Sequence, residues 1–156
     1  MSLITRLREL MPDITITSDI IVGFPGETEE DFEDTLDIIR RARFDMIYSF
    51  IYSRRVGTPA ASMDTQIPRA VQNARFDRLL ELQNQIALEK NEELVGKTLR
   101  VLSEGESKGN RNVFVARTEG NKIVHFIDDT GESKGKFVKV KITRAEPFLL
   151  HGELLK

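Results

Sequence analysis

The sequence predicts an α/β segment followed by a small all-β barrel, and three observations carry that reading. First, Thr17–Phe32 (TSDIIVGFPGETEEDF) runs an apolar strand, Ile20-Ile21-Val22, into a Gly23-Phe24-Pro25-Gly26 turn and an acid-started helix. That order is one βα unit of a parallel α/β barrel, with the turn at the end where such folds carry chemistry. Second, the apolar period is helical without a break from Pro68 to Leu94. Third, after Gly96 the period changes to two and turn residues punctuate it, as in a small barrel.

In chain order, Leu3–Met11 is a short amphipathic helix stopped by Pro12-Asp13, and Thr15–Gly23 is the first strand. Thr28 with Asp31 three residues on is a capping-box pattern that starts the next helix. Glu29, Glu30 and Asp31 in its first turn and Arg40, Arg41 and Arg43 in its last match the helix dipole. Phe32, Leu36 and Ile39 recur at helical spacing and should pack on the sheet. A second strand, Asp45–Tyr52, completes a βαβ crossover, and the loop Ser53–Pro59 follows it. On the long helix, Phe76, Leu79, Leu80, Gln83, Ile86 and Ala87 mark one face, and Gly96 terminates it. Five strands are then expected: Lys97–Ser103, Arg111–Thr118, Asn121–Asp128, Lys136–Thr143 and Leu149–Leu154. Val138, Val140 and Ile142 alternate with Lys139 and Lys141, which puts one face inside and makes the other basic. The expected domains are residues 1–67, a connecting helix at 68–95, and a β module at 96–156.

Composition bounds the function. The chain has 156 residues, 40% hydrophobic and 31% charged, which is the profile of a globular protein rather than a disordered one. It has no cysteine, so disulfides, zinc–thiolate sites and thiolate-held clusters cannot form within it. No apolar run approaches the ~20 residues of a membrane span, and Met1-Ser2-Leu3 leads into charged residues without a secretory pattern. No membrane contact is therefore expected; composition does not identify a compartment, and a cytoplasmic location is the default expectation. Net charge is −2, divided unevenly. Residues 1–90 carry 11 basic and 15 acidic side chains, whereas residues 91–156 carry 12 and 10. Any polyanion-binding surface belongs to the second half.

Several residues are candidates for function, each with a plainer reading. Gly23–Thr28 matches neither dinucleotide nor Walker phosphate loops, and the acids after it would repel phosphate. It is either a tight βα turn with a capped helix or a turn lining a cofactor. Arg55, in the loop after the second strand, either pairs with a carboxylate or phosphate or is a solvated cation. Lys97, Arg100, Lys108, Arg111, Arg117, Lys122, Lys134, Lys136, Lys139 and Lys141 form either a soluble face or a nucleic-acid-binding one. Phe114, Phe126 and Phe137 read as core rather than base-stacking platforms. His125 and His151 are the only histidines, with no ligand cluster joining them, and no catalytic residue is assigned.

Taken together, these stretches resemble radical S-adenosylmethionine enzymes of the methylthiotransferase family, MiaB-type. The likeness runs from about Leu3 to Leu155, through the Gly23-Phe24-Pro25-Gly26 turn and Tyr52-Ser53-x-Arg55-x-Gly57-Thr58-x-Ala60. Arg54 and Val56 stand where many relatives have prolines. Further matches are Met63–Pro68, Arg75…Arg78-Leu79…Leu82-Gln83, Asn121–Phe126, Lys141–Ala145 and Leu150–Leu154. The sister enzymes that modify a ribosomal-protein aspartate share most of these motifs. Arg117-Thr118, Asn121-Lys122 and Val124-x-Phe126 favour the tRNA branch.

The resemblance implies a partial radical SAM (TIM-like) barrel segment followed by an OB-like, RNA-binding TRAM barrel. It implies that Ile21, Val22 and Gly23 lie near the adenosine of S-adenosylmethionine. It implies that Arg55, Lys97, Arg100, Lys108, Arg111, Arg117, Lys122, Lys139 and Lys141 face the tRNA anticodon stem-loop. The parent would methylthiolate position 2 of an isopentenyl-modified adenosine beside the anticodon, using S-adenosylmethionine and two 4Fe-4S clusters. This chain is expected to be its C-terminal third, inactive alone, binding none of those groups by itself. Its partners would be tRNA and the missing N-terminal part, and its open barrel edge invites a non-native dimer. A free-standing RNA-binding protein is the alternative from a different class.

Overall fold

The computed structural model describes residues 1–155 and, at Arg111, the backbone alone. The chain divides into two compact units, Met1–Ile86 and a second from Ala87 onward, with the boundary falling within one long helix.

The first unit contains α1 (Ser2–Leu10), β1 (Thr17–Val22), α2 (Glu29–Ala42), β2 (Met46–Ile51), a 3-10 turn (Pro59–Ser62) and most of α3 (Arg69–Glu92). β1 and β2 are parallel, with Thr17 opposite Met46 and Val22 opposite Ile51. The expected cap of α2 forms: Thr28 Oγ1 accepts from the Asp31 N–H at 3.1 Å, and Asp31 Oδ2 accepts from the Thr28 N–H at 2.9 Å. The Thr28 hydroxyl, which donates to Asp31 Oδ2 at 2.7 Å, and then the Thr28 N–H hold the Asp31 carboxyl below its ordinary pKa. Phe32, Leu36, Ile39 and Ala42 of α2 pack with Val22, Ile47, Leu79 and Ile86 into one core. Only one face of the two-stranded sheet is covered in this way. On the other, Ile21, Tyr48 and Phe50 are each half exposed, and Ile21 stands opposite Phe50.

The second unit is a closed barrel of β3 (Thr98–Ser107), β4 (Asn110–Thr118), β5 (Ile123–Ile127), β6 (Phe137–Glu146) and β7 (Leu149–Leu155), in the order β3-β4-β5-β7-β6. The five expected strands are all present. β3 and β6 run four and three residues further than their patterns suggest, because a register shift interrupts each ladder partway (Ser103/Gly105 and Ile142/Arg144). A bulge of this kind bends a strand so that pairing continues round the corner of a barrel. Val101, Phe114, Ala116, Val124, Phe126, Val140, Ile142 and Leu150 fill the interior. Phe114 and Phe126 are core, their rings 5.9 Å apart.

Phe137 is a correction: it is 57% exposed. Its parity along β6 is that of Lys139 and Lys141, so the alternation that buries Val140 and Ile142 turns Phe137 outward.

Buried Asp128 organises the β5–β6 connection. One carboxylate oxygen accepts from the Thr130 N–H (3.0 Å) and hydroxyl (2.7 Å), the other from the Ser133 N–H (3.0 Å). The hydrogen bonds from Ser133 and then Thr130 push its pKa well below the ordinary carboxylate range. Because the folded pKa is depressed, the carboxylate stabilises the barrel above the unfolded value of about 3.9, and this fades as pH falls further. Asp128→Asn sets an amide donor against a backbone N–H. The barrel of that variant should unfold at lower urea than wild type at pH 7, with the gap narrowing at pH 3. Parallel pH profiles in urea titrations would refute the assignment.

Candidate nucleic-acid interface

Two places carry the functional residues expected from sequence, one in each unit. At the end of β1, Gly23 takes φ +75°, a left-handed conformation that glycine adopts without strain. Its N–H donates to Glu27 Oε2 at 2.6 Å, and its carbonyl accepts from buried Gln72 Nε2 at 3.0 Å. Glu27 Oε2 also receives Arg75 Nη1 at 2.9 Å, and the same nitrogen donates to the Glu27 carbonyl at 3.0 Å. Arg75 Nε reaches Glu29 at 3.1 Å, while Arg78 pairs with Glu29 and Glu33 and lies over the Phe32 ring. The Arg78 guanidinium, then Arg75, holds the Glu29 carboxyl below its usual pKa. Of the acids in the first turn of α2, Glu29 therefore does more than complement the dipole: with Glu27 before the helix and Glu33 beyond that turn, it ties α3 to the β1–α2 turn and to α2.

This arrangement limits what the three expected cofactor residues offer. Val22 is buried in the core, and both backbone polar groups of Gly23 are engaged. Ile21 alone presents its side chain outward. Beside them, the Tyr52 N–H donates to the Val22 carbonyl at 2.8 Å, and its buried hydroxyl has no hydrogen-bond partner among the described residues. The loop that follows is well tied despite lacking the prolines of the pattern. Arg54 Nε donates to the Ala61 carbonyl (2.7 Å), Thr58 caps the 3-10 turn, and Gln66 Nε2 bonds the carbonyls of Ala60 and Met63. The Arg55 side chain stays exposed.

In the second unit the barrel register gathers four of the predicted cations on the outer face of β3, β4 and β6. Arg100 lies opposite Lys139, Thr98 opposite Lys141, and Leu102 opposite both Phe137 and Arg117. Arg117 pairs with Glu104 at 3.0 Å and donates to Asn121, and Arg100 has a looser pair with Glu119 at 3.7 Å. Lys139 and Lys141 make no ion pair among the described residues.

The remaining candidates lie apart from this group. Lys97 is exposed just before β3, and Lys108 sits in the β3–β4 turn. Lys122 Nζ donates to Asn91 Oδ1 at 2.7 Å, and Asn91 in turn bonds the carbonyls of Glu146 and Pro147. That lysine braces the barrel. Arg55 belongs to the other unit. The Arg111 side chain lies outside the described residues.

Sequence reasoning missed a histidine pair. β5 and β7 run parallel with His125 opposite His151, and the rings meet edge-on at 6.0 Å. Glu146 Oε1 lies 3.0 Å from His151 Nε2 and 2.8 Å from Arg144 Nη1. Burial first, then His151, lowers the His125 pKa, so His125 is neutral at pH 7. Among the described residues no three His, Cys, Asp or Glu side chains are grouped to hold a metal, and no helix is long and apolar enough to cross a membrane.

A closed five-stranded barrel with a basic outer face defines a class of domain, and the sequence agrees. Residues 92–155 match the family model of the TRAM domain. Over its whole length, the chain is similar to the C-terminal part of proteins named tRNA-2-methylthio-N(6)-dimethylallyladenosine synthase. It is 50% identical to that of Acetivibrio thermocellus (99% of this chain, 32% of the relative). It is 52% identical to that of Thermoanaerobacter sp. strain X514 (100% and 33%) and 51% identical to that of Caldicellulosiruptor saccharolyticus (98% and 32%). The chain thus spans about a third of the length of the curated relatives it matches.

Proposed function

We propose that this chain is the C-terminal part of a tRNA-modifying methylthiotransferase of the radical S-adenosylmethionine class. In this reading the β barrel grips tRNA at the anticodon stem-loop, and the first unit contributes two strands to a catalytic α/β barrel. The observation that carries it is identity of about half the positions along the full chain to proteins named for a tRNA modification. The relatives share the tRNA name, which favours tRNA over a ribosomal-protein aspartate as substrate.

The first unit supports its half of the reading through what it leaves uncovered. β1 and β2 are a two-stranded sheet with open edges, and Ile21, Tyr48 and Phe50 leave an apolar face bare. In a closed α/β barrel that face would be interior and both edges would be paired. In the isolated chain the same edges are where a second copy would add.

Bound S-adenosylmethionine and two 4Fe-4S clusters supply the radical chemistry of methylthiolation in such enzymes. The clusters do not fit this chain, which has no thiolate to offer, so their ligands belong to the remainder of the parent. Toward S-adenosylmethionine this chain offers the exposed apolar side chain of Ile21. Gly23 shapes the turn from behind, held by Gln72 and Glu27.

The barrel supports tRNA binding through unneutralised charge. Lys139 and Lys141 face outward, and Arg100 and Arg117 stand beside them. Binding of an anticodon stem-loop RNA should weaken steeply with salt, because each phosphate contact releases condensed counterions. Lys139→Ala with Lys141→Ala should weaken binding and flatten the log–log salt dependence by roughly one unit per lost contact. Binding titrations over a range of salt test this. Absent or salt-independent binding would overturn the RNA reading.

A further inference from the structure

We propose that Phe137 and Arg100 form a stacking site for one unpaired RNA base, with Arg117, Lys139 and Lys141 holding the adjoining phosphates. The proposal rests on the RNA-binding reading above and adds to it where, and in what conformation, the RNA is held.

Phe137 is 57% exposed at the start of β6, although the barrel interior lies one residue away in register. A single exposed phenylalanine means little by itself. This one is not by itself. The Arg100 guanidinium carbon lies 4.0 Å from the ring centroid, so a delocalised cation is already stacked on one side. Leu102, directly opposite on β3, is 38% exposed and borders the ring on the same outward face. The next outward residue along β6 is Lys139, opposite Arg100, and Lys141 follows it. Arg117 borders Leu102 from β4.

The surface therefore offers an aromatic ring, a stacked guanidinium and an apolar neighbour, flanked by two lysines with no ion pair among the described residues. Sequence-tolerant binders of single-stranded RNA combine these parts, an aromatic platform for the base and a cationic track for the backbone. Arg100 has a second planar face on which a base can stack, and its one ion pair among the described residues, with Glu119, is long at 3.7 Å. Glu104 and Glu119 set the limits of the cationic ground on the β4 side, and Glu153 lies across from Lys141 on β7. An acidic peptide would satisfy the lysines but would leave the ring and the guanidinium plane without a matching flat partner. A base-paired A-form stem would satisfy the lysines too, yet its bases are stacked on one another and present no open face. The occupant that uses every part of the surface is a nucleotide splayed out of a loop.

The test compares a stem-loop RNA carrying an unpaired loop with a blunt duplex of the same length and composition, both titrated onto the full chain. Phe137→Ala should weaken loop binding about tenfold, in the range of one lost base–aromatic stack, and leave duplex binding and the salt slope unchanged. Phe137→Leu, which keeps apolar bulk, should lose as much, whereas Phe137→Trp should restore binding. A 2-aminopurine in the loop should be quenched by wild type and not by Phe137→Leu. Far-UV circular dichroism of each variant checks that the barrel is folded.

Equal loss of loop and duplex binding in Phe137→Ala, or wild-type loop binding in Phe137→Leu, overturns the stacking site while the RNA reading stands. Failure of wild type to bind either RNA overturns both. Binding of an acidic peptide in preference to RNA would do the same.

Discussion

Replacing Arg75 with methionine is expected to lower the stability of the first unit by about 3 kcal/mol, near the lower end for breaking one side of a buried ion pair. Arg75 is 6% exposed, and one of its partners, Glu27, lies in the same sheltered turn. Its guanidinium serves the Glu27 carboxylate, the Glu27 carbonyl and Glu29 together, a fork that no lysine would reproduce. Methionine keeps the helix propensity and the apolar stem of the side chain, so the loss isolates the charged head. What remains is a sheltered Glu27 carboxylate whose other partner is the Gly23 N–H. Glu29 is open to water, which keeps the cost from rising higher.

The measurement is simple because Tyr48 and Tyr52, the only tyrosines, both lie in the first unit and the chain has no tryptophan. Tyrosine fluorescence during urea unfolding therefore reports that unit alone. A shift of less than ~1 kcal/mol, the worth of an exposed pair, would mean that the network is ornamental. The wider consequence is positional. Arg75 fixes Glu27, Glu27 fixes the Gly23 N–H, and that turn ends the strand carrying Ile21.

The elements were legible in this sequence because each is signalled locally. Thr28 and Asp31 announce a helix start within four residues, and Val138–Ile142 announces a half-buried strand within five. The long helix was legible as a helix, and Gln83 as part of its packed face, but what holds its buried polar side chains was not. Gln72, Arg75 and Gln83 sit on an otherwise apolar face, and what justifies them lies 39 to 49 positions earlier: the Gly23 carbonyl, the Glu27 carboxylate and carbonyl, and the Phe44 carbonyl.

The candidate site followed the same rule. That Lys139 and Lys141 share an exposed face follows from period two alone. That Arg100 and Arg117 join them depends on the register of three strands, and bulges alter register without a sequence signal as plain as a cap. Phe137 was misassigned because an aromatic residue at a strand start is core by composition and outward only by parity. The His125–His151 pair was invisible because it needs a parallel pairing between strands separated by all of β6.

Gly152→Ala is expected to destabilise the barrel by about 3 kcal/mol, at the severe end of overpacking. Gly152 faces Phe126 on β5 and Ile142 on β6, so it sits between two ladders of the closed sheet. A Cβ there would lie 2.6 Å from the Lys141 carbonyl oxygen and 3.2 Å from its carbon, and would run into Val140 Cγ1. The valine methyl could yield by a rotamer change, but the carbonyl is backbone in β6 and cannot move without opening the β6–β7 pairing. Gly131→Ala is the matched control. There φ is +70° and nothing lies within 4 Å of a new Cβ, so only the cost of a left-handed alanine applies, about 1–2 kcal/mol. Gly152 itself has no left-handed φ, so if Gly152→Ala costs no more than Gly131→Ala, the contact with the Lys141 carbonyl is relieved without opening the ladder and the overpacking account is wrong.

Amide hydrogen exchange on β6 and β7 separates these outcomes, with protection lost across Val140–Ile142 in Gly152→Ala and retained in Gly131→Ala. The effect should reach function as well. β6 carries Lys139, Lys141 and Phe137 on its outer side, so a loosened β6–β7 ladder should weaken RNA binding although Gly152 itself offers nothing to a phosphate.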